Sequence, residues 1–194
     1  MLRRLDRPAL AVRYGGVSAP DWYEGAADRI CVALRRQGPI ILVAHSGAGA
    51  FVPGLARALG ERMRGYLLVD AVTPYPGKSW FDTVSPELAA RLRGLAQAGM
   101  LPPWDRWFGD DLLEHLLPEA ELRARFTAEL PRVPVAFLEA RAPDAGEWRS
   151  APAGYLQLSE AYSAEAAAAQ ARGWSVRREP LHHLAMLTDP DEKP

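Results

Sequence analysis

The stretch Ile40-Ile41-Leu42-Val43-Ala44-His45-Ser46-Gly47-Ala48-Gly49 decides how this chain is read. Four branched apolar residues in a row, with no polar alternation, suit a strand covered on both faces in a parallel sheet. A serine then falls among small residues, and a helix-like segment runs from Gly49 to Leu59. A sharp strand-to-helix turn needs small neighbours, because backbone must approach backbone there and the central residue occupies strained φ/ψ space. The flanks are Ala44 and Ala48 instead of the two glycines of a G-x-S-x-G turn, while Gly47 and Gly49 keep the turn small.

Outward from that turn, strands are expected at residues 9–14, 40–44, 66–70, 133–138, 155–158 and 174–177, most of them short continuous apolar runs. Helical patterns lie between them. Residues 21–36 place Trp22, Ala26, Ile30, Ala33 and Leu34 on one face and stop at Gly38-Pro39. Ser163 is a suitable cap for the alanine-rich run 164–172, which ends at Gly173. Alternating strands and helices predict an α/β fold with a doubly wound, mostly parallel sheet. Between Pro74 and Pro131 the pattern changes to helical pieces broken by Pro86, Gly99, Pro102-Pro103, Gly109 and Pro118. This insert, about residues 75–131, carries Trp80, Phe81, Met100, Trp104, Trp107 and Phe108.

With 194 residues the chain is expected to form one domain, residues 1–194. Its formal net charge of -1 provides no uniform field for a nucleic acid or an anionic membrane, so neither is an expected partner. A single cysteine, Cys31, excludes an internal disulfide and a cysteine-based zinc site, and reads as a small core residue of its helix. No window approaches the ~18 to 20 apolar residues of a membrane span, and the N-terminus lacks the apolar core of a signal peptide. A cytoplasmic location is the default expectation. Without a ligand cluster for a metal, a Rossmann glycine fingerprint or a P-loop, no metal and no cofactor are expected.

Ser46 is the candidate nucleophile, since a serine hydroxyl becomes reactive when a base removes its proton and the turn holds its oxygen exposed. The N–H of Gly47, at the start of the following helix, is the candidate oxyanion donor. A candidate base lies far along the chain, where His182-His183-Leu184 follows the strand-like run 174–177. Four carboxylates compete for the acid: Asp70, Glu139, Asp144 and Glu160. Glu139 and Asp70 are favoured because each directly terminates an apolar strand pattern. His45 reads as a neighbour of the site, not as its base.

Serine early and histidine late, in residues 42–49 and 183–190, resemble the α/β-hydrolase superfamily. The likeness is to small bacterial esterase and thioesterase-like members that read L-V-x-H-S-x-x-G early and H-L/F-x-x-L-x-x-P late, and it covers roughly residues 8 to 190. The resemblance implies that His183, immediately before an apolar residue, is the base, with its neighbour His182 the alternative. It makes Asp70 a variant position for the acid. It also implies that the insert is a lid over Ser46, its aromatics Trp80, Trp104 and Trp107 lining an apolar acyl pocket together with His45.

The same resemblance implies an earlier strand and a His-Gly-rich turn that supply a second oxyanion N–H. The chain begins too late to contain them: residues 1–5 read as the last turn of the first helix, either because the sequence starts at an internal methionine or because the member is reduced. It also stops at Pro194, where the family continues into a final helix. Loss of one oxyanion donor costs about a hundred- to a thousand-fold in turnover. The expected function is therefore a serine hydrolase of an ester or thioester with an apolar acyl group. The alternative is a non-catalytic or lyase-like relative that binds a hydrophobic small molecule. A sheet edge left bare by the missing strand is an expected surface for an oligomer.

Overall fold

The computed structural model describes residues 9–12, 19–109, 111–144 and 146–188. Four strands, β1 (Ile40–Ser46), β2 (Met63–Ala71), β5 (Ala153–Gln157) and β6 (Ser175–Arg178), form one parallel sheet in the order β1-β2-β5-β6. Helices α1 (Trp22–Ala33), α2 (Val52–Leu59) and α7 (Ser163–Ala171) cross between or flank them. This is the parallel α/β architecture expected from the alternating pattern.

Two apolar clusters hold the helices to the sheet. Tyr23, Ala26, Ile30 and Leu34 from the α1 region meet Phe51, Leu55 and Leu59, with Ile40 and Leu42 of β1 packed beneath. Val52 and Ala56 of α2 join Ala166 and Ala169 of α7 over Ala44, Tyr66, Leu68 and Tyr155. Alternate residues of β1 point the other way, and Ile41 and Val43 are 68% and 51% exposed. Beside that strand runs a hollow of about 490 Å³, lined in part by Leu10, Val12, Ile41 and Val43. Of residues 9–12, expected to begin a strand, none is in a strand, and Ala9, Leu10 and Val12 line this hollow; residues 13 and 14 lie outside the described residues. So do residues 1–5, read as the end of a first helix.

The segment between β2 and β5 builds a second body. A 3-10 turn, Trp80–Thr83, starts on a capping box in which Ser79 and Asp82 each bond the other's backbone N–H. Helix α3 (Pro86–Leu95) has Ser85 as its cap and proline at its first position, where no N–H is needed. Strands β3 (Met100–Leu101) and β4 (Val133–Pro134) pair antiparallel with each other and stay out of the main sheet. Short helices α4 (Leu112–Leu116), α5 (Ala120–Glu129) and α6 (Val135–Glu139) complete it.

The last of these corrects an expectation. Residues 133–138 were expected to be a strand of the main sheet; only two of them are extended, and the rest are helical. A short apolar run has no period that separates a strand from a buried helical turn. Pro134 also lacks the N–H a central strand would donate, and it sits well as the cap of α6. Ser163 is likewise not a cap: it is the first residue of α7, Tyr162 holds the cap position, and the Ser163 hydroxyl accepts from Gln157 Nε2 at 2.9 Å.

Candidate active site

Strand β1 ends in a residue that no strand would choose. Ser46 has φ 57° and ψ −131°, the left-handed side of backbone space that a non-glycine residue adopts only under constraint. Three neighbours impose it. Gly49 lies so close to β2 that a Cβ there would stand 1.9 Å from the Val72 carbonyl oxygen. The Val72 N–H donates to the Ser46 carbonyl at 3.1 Å, continuing the β1–β2 ladder past its regular end. Buried α2 then begins after the 3-10 turn Gly47–Phe51. Of the two glycines read as keeping this turn small, Gly49 is required by space, whereas a side chain at Gly47 would meet nothing within 4 Å.

One strand over, Asp70 has φ 43° and is fully buried near the end of β2. A buried carboxylate is costly unless its lone pairs are filled. Here Oδ1 accepts from the N–H groups of Leu158 at 2.8 Å and Ser159 at 3.0 Å, and Oδ2 accepts from the Ser159 hydroxyl at 2.6 Å and His183 Nδ1 at 2.8 Å. Burial alone would raise this carboxyl's pKa; the bonds from His183 and Ser159 outweigh it and hold the group below its ordinary value. Asp70 is therefore an acceptor, which puts the His183 proton on Nδ1 and leaves Nε2 with a lone pair. That nitrogen lies 3.1 Å from Ser46 Oγ and accepts its hydroxyl proton. Three residues from β1, β2 and the loop after β6 thus make one hydrogen-bonded series.

His183 is held from several sides. His45, the residue before the serine, donates from Nε2 to the His183 carbonyl at 2.9 Å, and the two rings lie 4.4 Å apart. Burial first, and the neighbouring His183 second, push the His45 imidazole down to a pKa of about 4, so it is neutral at pH 7. Tyr162 lies flat against the other ring, 5.1 Å away at an interplanar angle of 7°, with its hydroxyl 3.4 Å from Ser46 Oγ. Trp104 approaches to 6.0 Å. His182 turns elsewhere, its Nε2 2.9 Å from the Thr188 hydroxyl.

The structure separates the other candidates. Glu139 ends α6, not a strand of the main sheet, and its half-exposed carboxylate faces Arg93 at 3.4 Å; the seat beside His183 Nδ1 belongs to Asp70. Asp144 is exposed and faces Arg149, and Glu160 is exposed in the 3-10 turn Glu160–Tyr162. Of the expected pocket residues, His45 and Trp104 adjoin the histidine. Trp80 and Trp107 instead pack on Phe81, Leu92, Leu101 and Leu138 as the insert's own core, with Trp107 buried and its indole N–H donating to the Pro102 carbonyl at 2.8 Å. Buried ring area explains this placement: an indole with its one N–H satisfied is a core residue first. Sequence reasoning missed Ser159 and Tyr162. Both follow the strand read at 155–158, so the signal available was a hydroxyl and a phenol just past a strand end on the edge that holds Ser46.

Among the described residues no cluster of three or more His, Cys, Asp or Glu is placed to hold a metal ion. None of their helices is long and apolar enough to cross a membrane.

A strained serine after a parallel strand, followed in chain order by a buried acid and a late histidine, defines one class of fold and site. The chain belongs to the alpha/beta hydrolase family, whose model matches residues 4–193. No curated protein sequence matches it. Among solved structures it is similar to an extracellular alpha/beta-hydrolase from a Paenibacillus species, described as sharing structural and functional homology with tobacco salicylic acid binding protein 2. That likeness has 17% identity and a TM-score of 0.77, over 97% of this chain and 85% of that one. It is similar to a pyrethroid hydrolase from Sphingobium faniae JZ-2, with 17% identity, a TM-score of 0.65, and 98% and 84% of the two chains covered. Tomato methylketone synthase I is also similar, at 14% identity and a TM-score of 0.65, with 98% and 85% covered. At these identities the likeness is one of fold.

Proposed function

We propose that the protein is a serine hydrolase of esters or thioesters with an apolar acyl group, working through an acyl-enzyme on Ser46. The observation that carries this reading is the series Asp70 Oδ2, His183 Nδ1, His183 Nε2, Ser46 Oγ, at 2.8 and 3.1 Å, ending on a serine of strained backbone. His183 takes the Ser46 proton as Oγ attacks the acyl carbon, and then returns it to the leaving group. Asp70 keeps the imidazole in the productive tautomer and stabilises the imidazolium, remaining ionised itself. The Gly47 N–H serves the oxyanion. The apolar acyl group is supported by Trp104, which stands over His183 and packs with Leu113, Leu117, Leu184 and Phe126.

A fluorophosphonate serine-hydrolase probe tests this, with the adduct located by mass spectrometry. Labelling of Ser46 that disappears in both Ser46→Ala and His183→Ala is the expected result. Hydrolysis of acyl esters should then improve as the acyl chain lengthens. A folded protein that takes no adduct but binds hydrophobic acids would leave the non-catalytic reading in its place.

A further inference from the structure

We infer that Tyr162 is a catalytic residue of this site, its phenol donating a hydrogen bond to the oxygen that stands beside His183 Nε2, and that the site is thereby built for oxygen esters over thioesters. The inference rests on the serine-hydrolase reading above and narrows its substrate class. Tyr162 follows β5 and caps α7, so two regular elements fix its backbone. Its ring covers one face of the His183 imidazole in parallel contact, and its hydroxyl reaches to 3.4 Å from Ser46 Oγ. That oxygen already gives its own proton to His183 Nε2, so towards Tyr162 it acts as acceptor and the phenol as donor. A bond of this length at rest shortens when charge develops on the acceptor.

Tyr162 follows β5, which lies between β2 of Asp70 and the β6 that leads to His183, and its ring is stacked on His183, whereas the candidate oxyanion donor Gly47 opens the 3-10 turn that leads into α2. A donor on the histidine side meets the leaving-group atom, not the carbonyl oxygen. In acylation, Ser46 Oγ forms a bond to the acyl carbon while its proton passes to Nε2. The bond from that carbon to the leaving oxygen then breaks as Nε2 hands the proton to it. Tyr162 keeps its own proton throughout: burial first, and the nearby Asp70 and Glu165 after it, raise its pKa above the ordinary phenol value, against the lowering effect of its bond to Ser46. Its contribution is a second hydrogen bond to the departing alkoxide, and to the water that occupies the same place in deacylation. Sulfur accepts such bonds weakly, so a departing thiolate gains little from the phenol.

The experiment compares wild type and Tyr162→Phe on one acyl chain carried as its ethyl ester and as its ethyl thioester, alongside fluorophosphonate labelling of Ser46. Phenylalanine keeps the ring over His183 and removes only the hydroxyl. The expected result is a fall in kcat/KM of about 10- to 100-fold for the ethyl ester, with the thioester changed less than about threefold. An equal fall for both substrates, or none for either, in a protein whose Ser46 still labels, overturns the role of Tyr162 and leaves the hydrolase reading intact. A wild-type protein that neither labels nor turns over either substrate overturns both. Tyr162→Leu adds a check on the ring: it should slow the thioester as well, because His183 then loses the surface that covers it.

Discussion

The end of the sheet and the aromatic insert spend their buried residues differently. At the sheet end, Ser46 and Asp70 both sit at positive φ, and a buried carboxylate is surrounded by four donors. In the insert, Phe81, Leu92, Leu101, Trp107 and Leu138 pack one another around capped helices. Strain and buried charge persist only where the surroundings over-determine them, and parallel strands fixed in register supply that constraint better than short helices between prolines. The contrast predicts that substitutions at the sheet end strike reactivity, whereas those in the insert strike stability.

The largest effect is expected at Asp70. Asp70→Asn should lower ester turnover by about 10³- to 10⁴-fold while circular dichroism remains that of a folded protein, because the amide no longer holds His183 in the right tautomer. A loss below about tenfold would place the acid elsewhere. Next in size, Trp107→Ala should cost about 3 to 5 kcal/mol by urea denaturation, the range for emptying a large aromatic site, with the rate of Ser46 labelling within about threefold of wild type. If labelling collapses in protein that is still folded, the insert shapes the site and the contrast fails.

A smaller and pH-dependent effect is expected at His45. In the unfolded chain an imidazole takes up a proton near pH 6.5, but the folded protein resists until about 4, so every step down through that window favours unfolding. Stability should therefore be fully present above pH 6.5 and fall by up to about 3 kcal/mol towards pH 4. His183 and Asp70, the ionisable neighbours that act on this ring, are both still present in His45→Asn, which should flatten that acid limb. Denaturation series at pH 7.5, 6 and 4.5 in both proteins decide it. Smallest of all, Glu139→Gln should leave turnover within about twofold, because an exposed pair with Arg93 contributes about 1 kcal/mol at most.

These predictions follow the line between what was legible in the sequence and what was not. Strands β1, β2 and β5 were legible as short apolar runs, although β1 leaves Ile41 and Val43 exposed instead of covered on both faces. Strand β6, Ser-Val-Arg-Arg and mostly exposed, was legible only by its place in the alternation, and the elbow because its small residues answer a local steric demand. Ser46 and His183 could be singled out by motif and order. The choice between acid candidates could not be made: Asp70 and Glu139 both close apolar runs, and only three-dimensional packing shows that one run is a sheet strand and the other turns into α6 at Pro134. Tryptophans of the insert were equally mute. Trp104 and Trp107 stand three residues apart and pack on the same core, yet only Trp104 also reaches His183, its ring 6.0 Å away, while Trp107 is sealed inside.

One amide ties the geometry of Ser46 to something that can be timed. The Val72 N–H donates to the Ser46 carbonyl, so deuterium from the solvent can replace that proton only when this bond at the elbow opens. The exchange half-life of a single proton, read against those deeper in β2, would act as a clock on the elbow itself. It reports the free energy of opening the elbow, with no substrate in the tube.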